Sequence, residues 1–272
     1  MVLSDDKVIS SSSGSHVDSP WEEVWNDRDS PMGVDISEIS NESTLTGYVR
    51  YARYDSGEFT QNRFLAPASS PVPDNARWVS PAIYFLTSNE EEDLRESESP
   101  RKIQERCETA GRVAYAVLAE SDALEDGYEV STVVGWLVEF AEEQLGLCEA
   151  DYRLYYSGNR SIHLQTTKFV PGEEGRKWLK RQAEAFTDET DAELDTGIHQ
   201  PKGQFRLSGV KHRKTDLYKV DITPLLDGDY TVSREEVVPR ATSPLDEKEW
   251  PFPDIQSIDN TSIHYCPGDS DI

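Results

Sequence analysis

The chain has 272 residues and carries 52 Asp and Glu against 27 Lys and Arg, a formal net charge of −25 that is spread along its length and not gathered in one block. That length accommodates one domain of ordinary to large size or two small ones, and dispersed acid of this kind indicates a surface adapted to high salt, as in a halophile. A conventional basic surface for nucleic acid is excluded, although in molar salt the Debye length falls to about 3 Å and local geometry then decides what binds.

In chain order, residues 1–43 are rich in Ser, Asp, Asn and Glu with isolated Trp21, Trp25 and Met32, and read as an acidic leader with too little apolar surface to order itself. Residues 48–54 alternate, Asp55-Ser56-Gly57 turns, and 59–64 continues as the second arm of a hairpin. After a Pro/Ser loop over 67–75, residues 82–86 read as a buried strand, 89–99 as an acidic loop or frayed helix, and 102–109 as a short helix. Residues 113–119 are the longest apolar run and have the β-branching of a central strand. A helix follows, N-capped by Ser131 and ended by Gly146. It buries Val133, Val134, Trp136, Leu137, Phe140, Ala141 and Leu145 and turns Glu139, Glu142 and Glu143 to water. Then come a strand over 152–156, a polar turn with a second short strand, a helix over 172–186 facing inward through Trp178, Leu179, Ala183 and Phe186, and further strands at 205–207, 218–222 and 230–232. The organisation expected is a leader (1–43), an α+β core (44–240) with a mostly antiparallel sheet flanked by helices, and an irregular acidic tail (241–272).

Cys107, Cys148 and Cys266 make neither a Cys-x-x-Cys pair nor a zinc spacing, and fit a reducing cytoplasm. No run reaches the about 18 apolar residues of a membrane span. The first residues lack a basic region followed by an apolar one, so no secretory signal is expected.

Three stretches carry chemistry. The first is the polar end of the central run, Glu120-Ser121-Asp122, where two carboxylates two residues apart leave one face of a strand. Clustered carboxylates are what hard divalent ions such as Mg²⁺ or Mn²⁺ take as ligands. The second is Ser157-Gly158-Asn159-Arg160-Ser161-Ile162-His163. Gly and Asn tolerate positive φ at the turn, and Ser161 and His163 share a strand face, so a hydroxyl, an imidazole and a guanidinium converge on a spot that suits a phosphate. The third is Arg206 to Thr215. Between 200 and 219 lie six basic residues (202, 206, 211, 213, 214 and 219) against the single acid Asp216, a reversal of the chain's overall charge and a candidate site for phosphate or a template backbone.

Set in this order, the blocks resemble the archaeo-eukaryotic primase superfamily, the small catalytic subunits of DNA primases, in a divergent, haloarchaeal form. That family has an apolar strand ending in Asp-x-Asp, a Ser-Gly-x-Arg-Gly-x-His strand-turn-strand, and an Arg-x-Pro-Gly-Ser-x-His-x-Lys-Thr-Gly loop. The likeness covers roughly residues 80 to 225 and includes Ser80-Pro81-Ala82-Ile83-Tyr84, similar to a Pro-x-x-Tyr strand that precedes the acids. Arg206, Gly209, His212, Lys214 and Thr215 match the third block, whereas Ser161, Ser208, Val210 and Asp216 depart from the family residues. The family's first Asp falls on Leu118 and its second on Glu120, with Asp122 an extra acid beyond, so either the acidic pair has slid by one strand period or one ligand is lost. The family's last metal-binding Asp falls on Gln200, with Asp195 and His199 nearby.

The resemblance implies a template-directed nucleotidyltransferase that makes or extends primers from NTPs or dNTPs on single-stranded DNA with Mg²⁺ or Mn²⁺, beside a large primase subunit, a helicase or no partner. Glu120, Asp122 and Asp195 would hold metal. Ser157, Arg160, Ser161, His163, Arg206, His212 and Lys214 would hold nucleotide phosphates or template. The alternative is a degenerate relative that binds nucleotide or single-stranded DNA as a replication accessory.

Overall fold

The computed structural model describes residues 45–54, 61–96, 98–200, 203–226 and 230–243. The expected leader, the Asp55-Ser56-Gly57 turn and most of the expected tail lie outside the described residues. Eight strands form one sheet: β1 (Thr46–Tyr54), β2 (Gln61–Pro67), β3 (Trp78–Leu86), β4 (Val113–Ser121), β5 (Tyr152–Tyr156), β6 (Ile162–Pro171), β7 (Phe205–Arg206) and β8 (Val220–Asp221). Their order is β2-β1-β3-β4-β6-β5-β8, with β7 paired to β3, and every pairing is antiparallel. Among the described residues five α-helices, α1 (Ser88–Arg95), α2 (Pro100–Thr109), α3 (Val130–Glu139), α4 (Gly172–Glu189) and α5 (Arg234–Arg240), complete the α+β fold expected from the sequence.

The alternation of β4 sets the two layers. Val113, Tyr115, Val117 and Ala119 belong to the larger core, where α2 contributes Ile103 and Cys107, α3 contributes Val133, Val134 and Leu137, and α4 contributes Trp178, Leu179, Ala183 and Phe186. Ala114, Ala116 and Leu118 belong to a smaller cluster on the opposite face, with Val79, Ile83, Ile198, Phe205, Leu207 and Val210. The near-continuous apolar run is therefore the signature of a strand buried on both sides. Where the run ends, the small-cluster face continues into Glu120.

Several elements differ from expectation. The acid-rich 89–99 segment holds a formed helix, α1, with a capping box between Thr87 and Glu90. Glu90 is buried and takes both arms of Arg112 at 2.6 Å, so an acid that reads as solvated anchors this helix to the sheet. Helix α3 is capped at Glu129 and not at Ser131, and starting two residues earlier it buries Val130. It runs into a π-turn over Phe140–Gln144 before Gly146 closes it at φ 65°. Glu142 does not face water: it accepts from the Tyr152 hydroxyl at 2.7 Å and the Tyr230 hydroxyl at 3.1 Å. The latter bond holds Tyr230 at φ 54°, so residues 230–232 form no strand, although Val232 is buried.

One feature of the pairing opens the sheet. Strand β3 pairs with β4 only from Ala82↔Tyr115 to Tyr84↔Val113, and its first residues pair instead with β7, Trp78↔Arg206 and Val79↔Phe205. The far half of β4 stays hydrogen-bonded to β6, Leu118↔Gln165 to Ser121↔Ile162. Its other edge is met by the Asp195 amide, which donates to the Glu120 carbonyl at 2.7 Å. A cleft is left between the end of β4 and β7.

Candidate functional site

A cavity of about 250 Å³ fills that cleft, and all three sequence blocks reach it. Glu120 and Asp122 come from the end of β4, Ser157, Asn159, Arg160, Ser161 and His163 from the β5–β6 turn, and Arg206 and His212 from β7 and the loop after it. Asp195, Trp78, Gln204 and Phe205 complete the lining.

The turn is locked in place by its neighbours. Gly158 has φ 82°, and a Cβ there would meet the Leu217 carbonyl oxygen at 2.7 Å, so both backbone conformation and space require glycine. The Thr215 hydroxyl donates to the Gly158 carbonyl, and Arg206 donates to the Ser157 carbonyl at 2.6 Å. The Ser157 Oγ accepts from the Ser161 amide at 3.1 Å. The second and third blocks are thus one hydrogen-bonded unit.

The acidic wall is uneven. Glu120 is partly buried, and that desolvation by itself would raise its carboxyl. His163 and Ser161, which hydrogen-bond to it, and the charge of Lys219 outweigh burial and hold it below the ordinary carboxylate range. The His163 Nε2 lies 3.2 Å from Glu120 Oε1 and 3.1 Å from Ser161 Oγ, so the shared strand face inferred for Ser161 and His163 is observed. Asp122 is pushed in the opposite direction by burial and then by the Glu120 charge, with Asp195 adding to it and Arg160 opposing it. The Asp195 carboxylate accepts from the Gly197 amide at 2.7 Å, which fixes its rotamer at the cavity edge.

Behind His163 stands a residue whose role the sequence did not disclose. Lys219 is fully buried, with its Nζ 3.1 Å from His163 Nδ1 and 3.0 Å from the Arg206 carbonyl, between the Tyr155 ring at 5.3 Å and the Phe205 ring at 5.1 Å. While its amine is protonated, Lys219 only donates, so Nδ1 accepts and the Nε2–H is left to face Glu120. Burial lowers the His163 imidazole and pushes the Lys219 amine down to about 7. In the sequence Lys219 is one more base of a basic loop, and no local pattern marks it as buried. The signal lies in long-range pairing, where Tyr156↔Val220 brings the start of β8 beneath the turn.

On the cationic wall, Arg160 extends to the acids. Its NH2 is 2.7 Å from Asp122 Oδ2 and its NH1 pairs with Glu125. Arg206 sits 5.4 Å over the Trp78 ring, and burial pushes its guanidinium down to about 10. His212 is lowered by burial and by Arg206, Lys214 and Arg160, and its Nδ1 accepts from the Lys214 amide at 3.2 Å. Lys214 contributes that amide but not its side chain. It is exposed on the 212–215 turn, outside the cavity, because the Lys211↔Tyr218 bridge closes a loop whose tip points away.

The positions where the family's other acids fall are elsewhere. Leu118 is buried in the smaller cluster, and both it and Gln200 border a separate space of only about 10 Å³, together with His199. Glu120 and Asp122 both line the cavity, and Leu118 does not. Asp195 reaches it and His199 does not. Among the described residues no group of three or more His, Cys, Asp or Glu is arranged to hold a metal ion, and no helix is long and apolar enough to cross a membrane. Compared with protein-family models, with curated proteins and with solved structures, the chain matches none.

Proposed function

We propose that the chain is a primase-like nucleotidyltransferase that joins NTPs or dNTPs on a single-stranded DNA template with divalent metal. The observation that carries this reading is the one cavity in which an acidic wall (Glu120, Asp122, Asp195) faces a cationic one (Arg160, Arg206, His212). Its volume of about 250 Å³ is below the roughly 300–1,000 Å³ that enclose a whole small-molecule ligand. It therefore suits the polyphosphate of a nucleotide, with sugar and base at the mouth beside Trp78.

The donor set fits a hard cation. Three carboxylates border one space, and burial followed by the Glu120 charge raises the Asp122 carboxyl even against Arg160. Glu120, Asp122 and Asp195 would hold Mg²⁺ or Mn²⁺, which supplies charge neutralisation at the phosphates and activation of the attacking hydroxyl. The chain's own groups do the rest. Arg160 can take phosphate oxygens through its two-pronged fork. The Ser161 hydroxyl and the His163 Nε2–H keep Glu120 ionised and oriented, and Lys219 fixes the tautomer that lets His163 do so. Arg206 positions the Ser157 carbonyl and hence the whole turn.

The test is primer synthesis and extension on single-stranded DNA with Mn²⁺ in high salt, comparing wild type with Glu120→Ala/Asp122→Ala. Product that disappears in the double variant is expected. If wild type binds nucleotide or single-stranded DNA but never yields product, the chain is instead a non-catalytic replication accessory. That reading is favoured by one observation: Leu118 and Gln200, where the resemblance places acids, border a separate space and not the cavity.

A further inference from the structure

Building on that reading of the site, we propose that Arg160 is an internal stand-in for the metal: it neutralises Asp122 while no divalent ion is bound, and is released by the ion to grip the substrate's phosphates. One side chain thereby makes metal and nucleotide binding cooperative.

The geometry supplies both positions. Arg160 NH2 is 2.7 Å from Asp122 Oδ2, so the guanidinium occupies space next to the carboxylate that a cation must approach. Its second arm is held by Glu125, outside the acidic wall, in the short turn that follows β4. The other basic groups cannot take this part. Arg206 is committed to the Ser157 carbonyl and the Trp78 ring, and Lys219 is sealed behind His163.

The latch is weak enough to open. The Arg160, Asp122 and Glu125 side chains are 48%, 32% and 60% exposed. Pairs of this exposure shift an equilibrium by at most about fivefold. The pivot is nevertheless firm. The Ser157 amide donates to the Ser161 carbonyl at 2.9 Å, and Thr215 and Arg206 pin the Gly158 and Ser157 carbonyls. The switch therefore needs only rotamer changes in one long side chain, on a backbone that stays put. Once an ion takes Asp122, the guanidinium loses its inner partner and its fork is available for a phosphate at the same cavity wall. Linkage then requires that nucleotide tighten metal by the same factor by which metal tightens nucleotide.

The experiment is Mn²⁺ binding to the full chain, read from the electron paramagnetic resonance signal of the free ion, with and without a non-hydrolysable nucleoside triphosphate analogue. Arg160→Ala should bind Mn²⁺ alone about two- to fivefold more tightly than wild type, yet gain less from the analogue. Arg160→Lys, which keeps a charge without the fork, should compete with Mn²⁺ much as wild type does but lose the extra gain. Circular dichroism on each variant reports folding. Wild-type Mn²⁺ affinity in Arg160→Ala, or weaker, with binding still abolished by Asp122→Asn, overturns the stand-in while leaving the metal site. Binding that is absent in wild type, or that survives Asp122→Asn, overturns the metal site and the stand-in with it.

Discussion

Replacing Lys219 by Met removes a fully buried ammonium and leaves an apolar side chain between the Tyr155 and Phe205 rings. Burial lowers this amine from its ordinary 10.5 to about 7, against the opposing pull of Glu120. The unfolded chain therefore holds a proton on Lys219 that the folded chain has released between about pH 7 and 10.5, and folding stability rises with pH across that window. The whole gap corresponds to roughly 5 kcal/mol at about 1.36 kcal/mol per pH unit. By pH 9 roughly 3 kcal/mol of it is present, and below pH 7 none is. Screening by salt leaves the effect in place because the group is out of solvent. The Met variant loses the donor to His163 Nδ1 and to the Arg206 carbonyl, a cost of about 1–3 kcal/mol, partly offset by removal of a desolvated charge. Guanidinium denaturation of both proteins at pH 6, 7.5 and 9 gives the difference in unfolding free energy, in which titrating groups remote from Lys219 cancel. The wild type should gain on the variant by roughly 3 kcal/mol between pH 6 and pH 9. Parallel curves would mean that Lys219 stays an ammonium in the folded chain, solvated or paired in a way the structure does not contain, and would refute the effect of burial argued for it.

Gly158→Ala should lower stability by about 1–3 kcal/mol, because it forces a Cβ against the Leu217 carbonyl at a positive φ, and thermal unfolding measures it. Leu118→Asp, which introduces an acid at the position where the resemblance to primases places one, should unfold the chain instead of adding a metal ligand, since an unpaired carboxylate would be buried in the smaller cluster. Thermal unfolding together with Mn²⁺ binding separates the outcomes, and tighter Mn²⁺ binding by a folded variant would show the register to be wrong. Glu90→Ala should cost about 3–5 kcal/mol in chemical denaturation by leaving Arg112 without its carboxylate at the α1–sheet junction, whereas a loss under 1 kcal/mol would mean that the pair is solvated.

The parts of this protein that the sequence discloses are those whose signal is local. The β4 run, the strand over Tyr152–Tyr156 and the helix at Gly172 each carry a period or an apolar stretch that fixes their type, and the face shared by Ser161 and His163 follows from the geometry of a strand. The parts that stay hidden depend on partners far along the chain. Glu90 looks solvated until Arg112 is placed beside it. Tyr230 looks like a strand residue until Glu142, 88 positions away, takes its hydroxyl. Lys219 looks like surface charge until β8 pairs with β5. The assignment of acids to the site sits between these cases. Spacing alone left open whether the pair had slid or a ligand had been lost; in the fold Leu118 packs in the smaller cluster while Glu120 and Asp122, further along, line the cavity.

The net charge of −25 then poses a problem that the cavity's construction addresses. A polyanion approaching this surface is repelled at low ionic strength. At molar salt, repulsion beyond about 3 Å is screened away, but so is any long-range attraction. Only contacts sheltered from solvent keep their strength under those conditions. Lys219 to His163 at 3.1 Å and His163 to Glu120 at 3.2 Å are of this kind, and they lie inside the molecule. Arg160, by contrast, works at the solvent boundary, where its grip on Asp122 is weakened by salt. High salt therefore leaves the orienting chain behind Glu120 intact while loosening the group proposed to move. The competition between Arg160 and a divalent ion for Asp122 should accordingly be sharpest at low ionic strength and fade as salt rises, whereas the rigidity of Glu120 should not change with it.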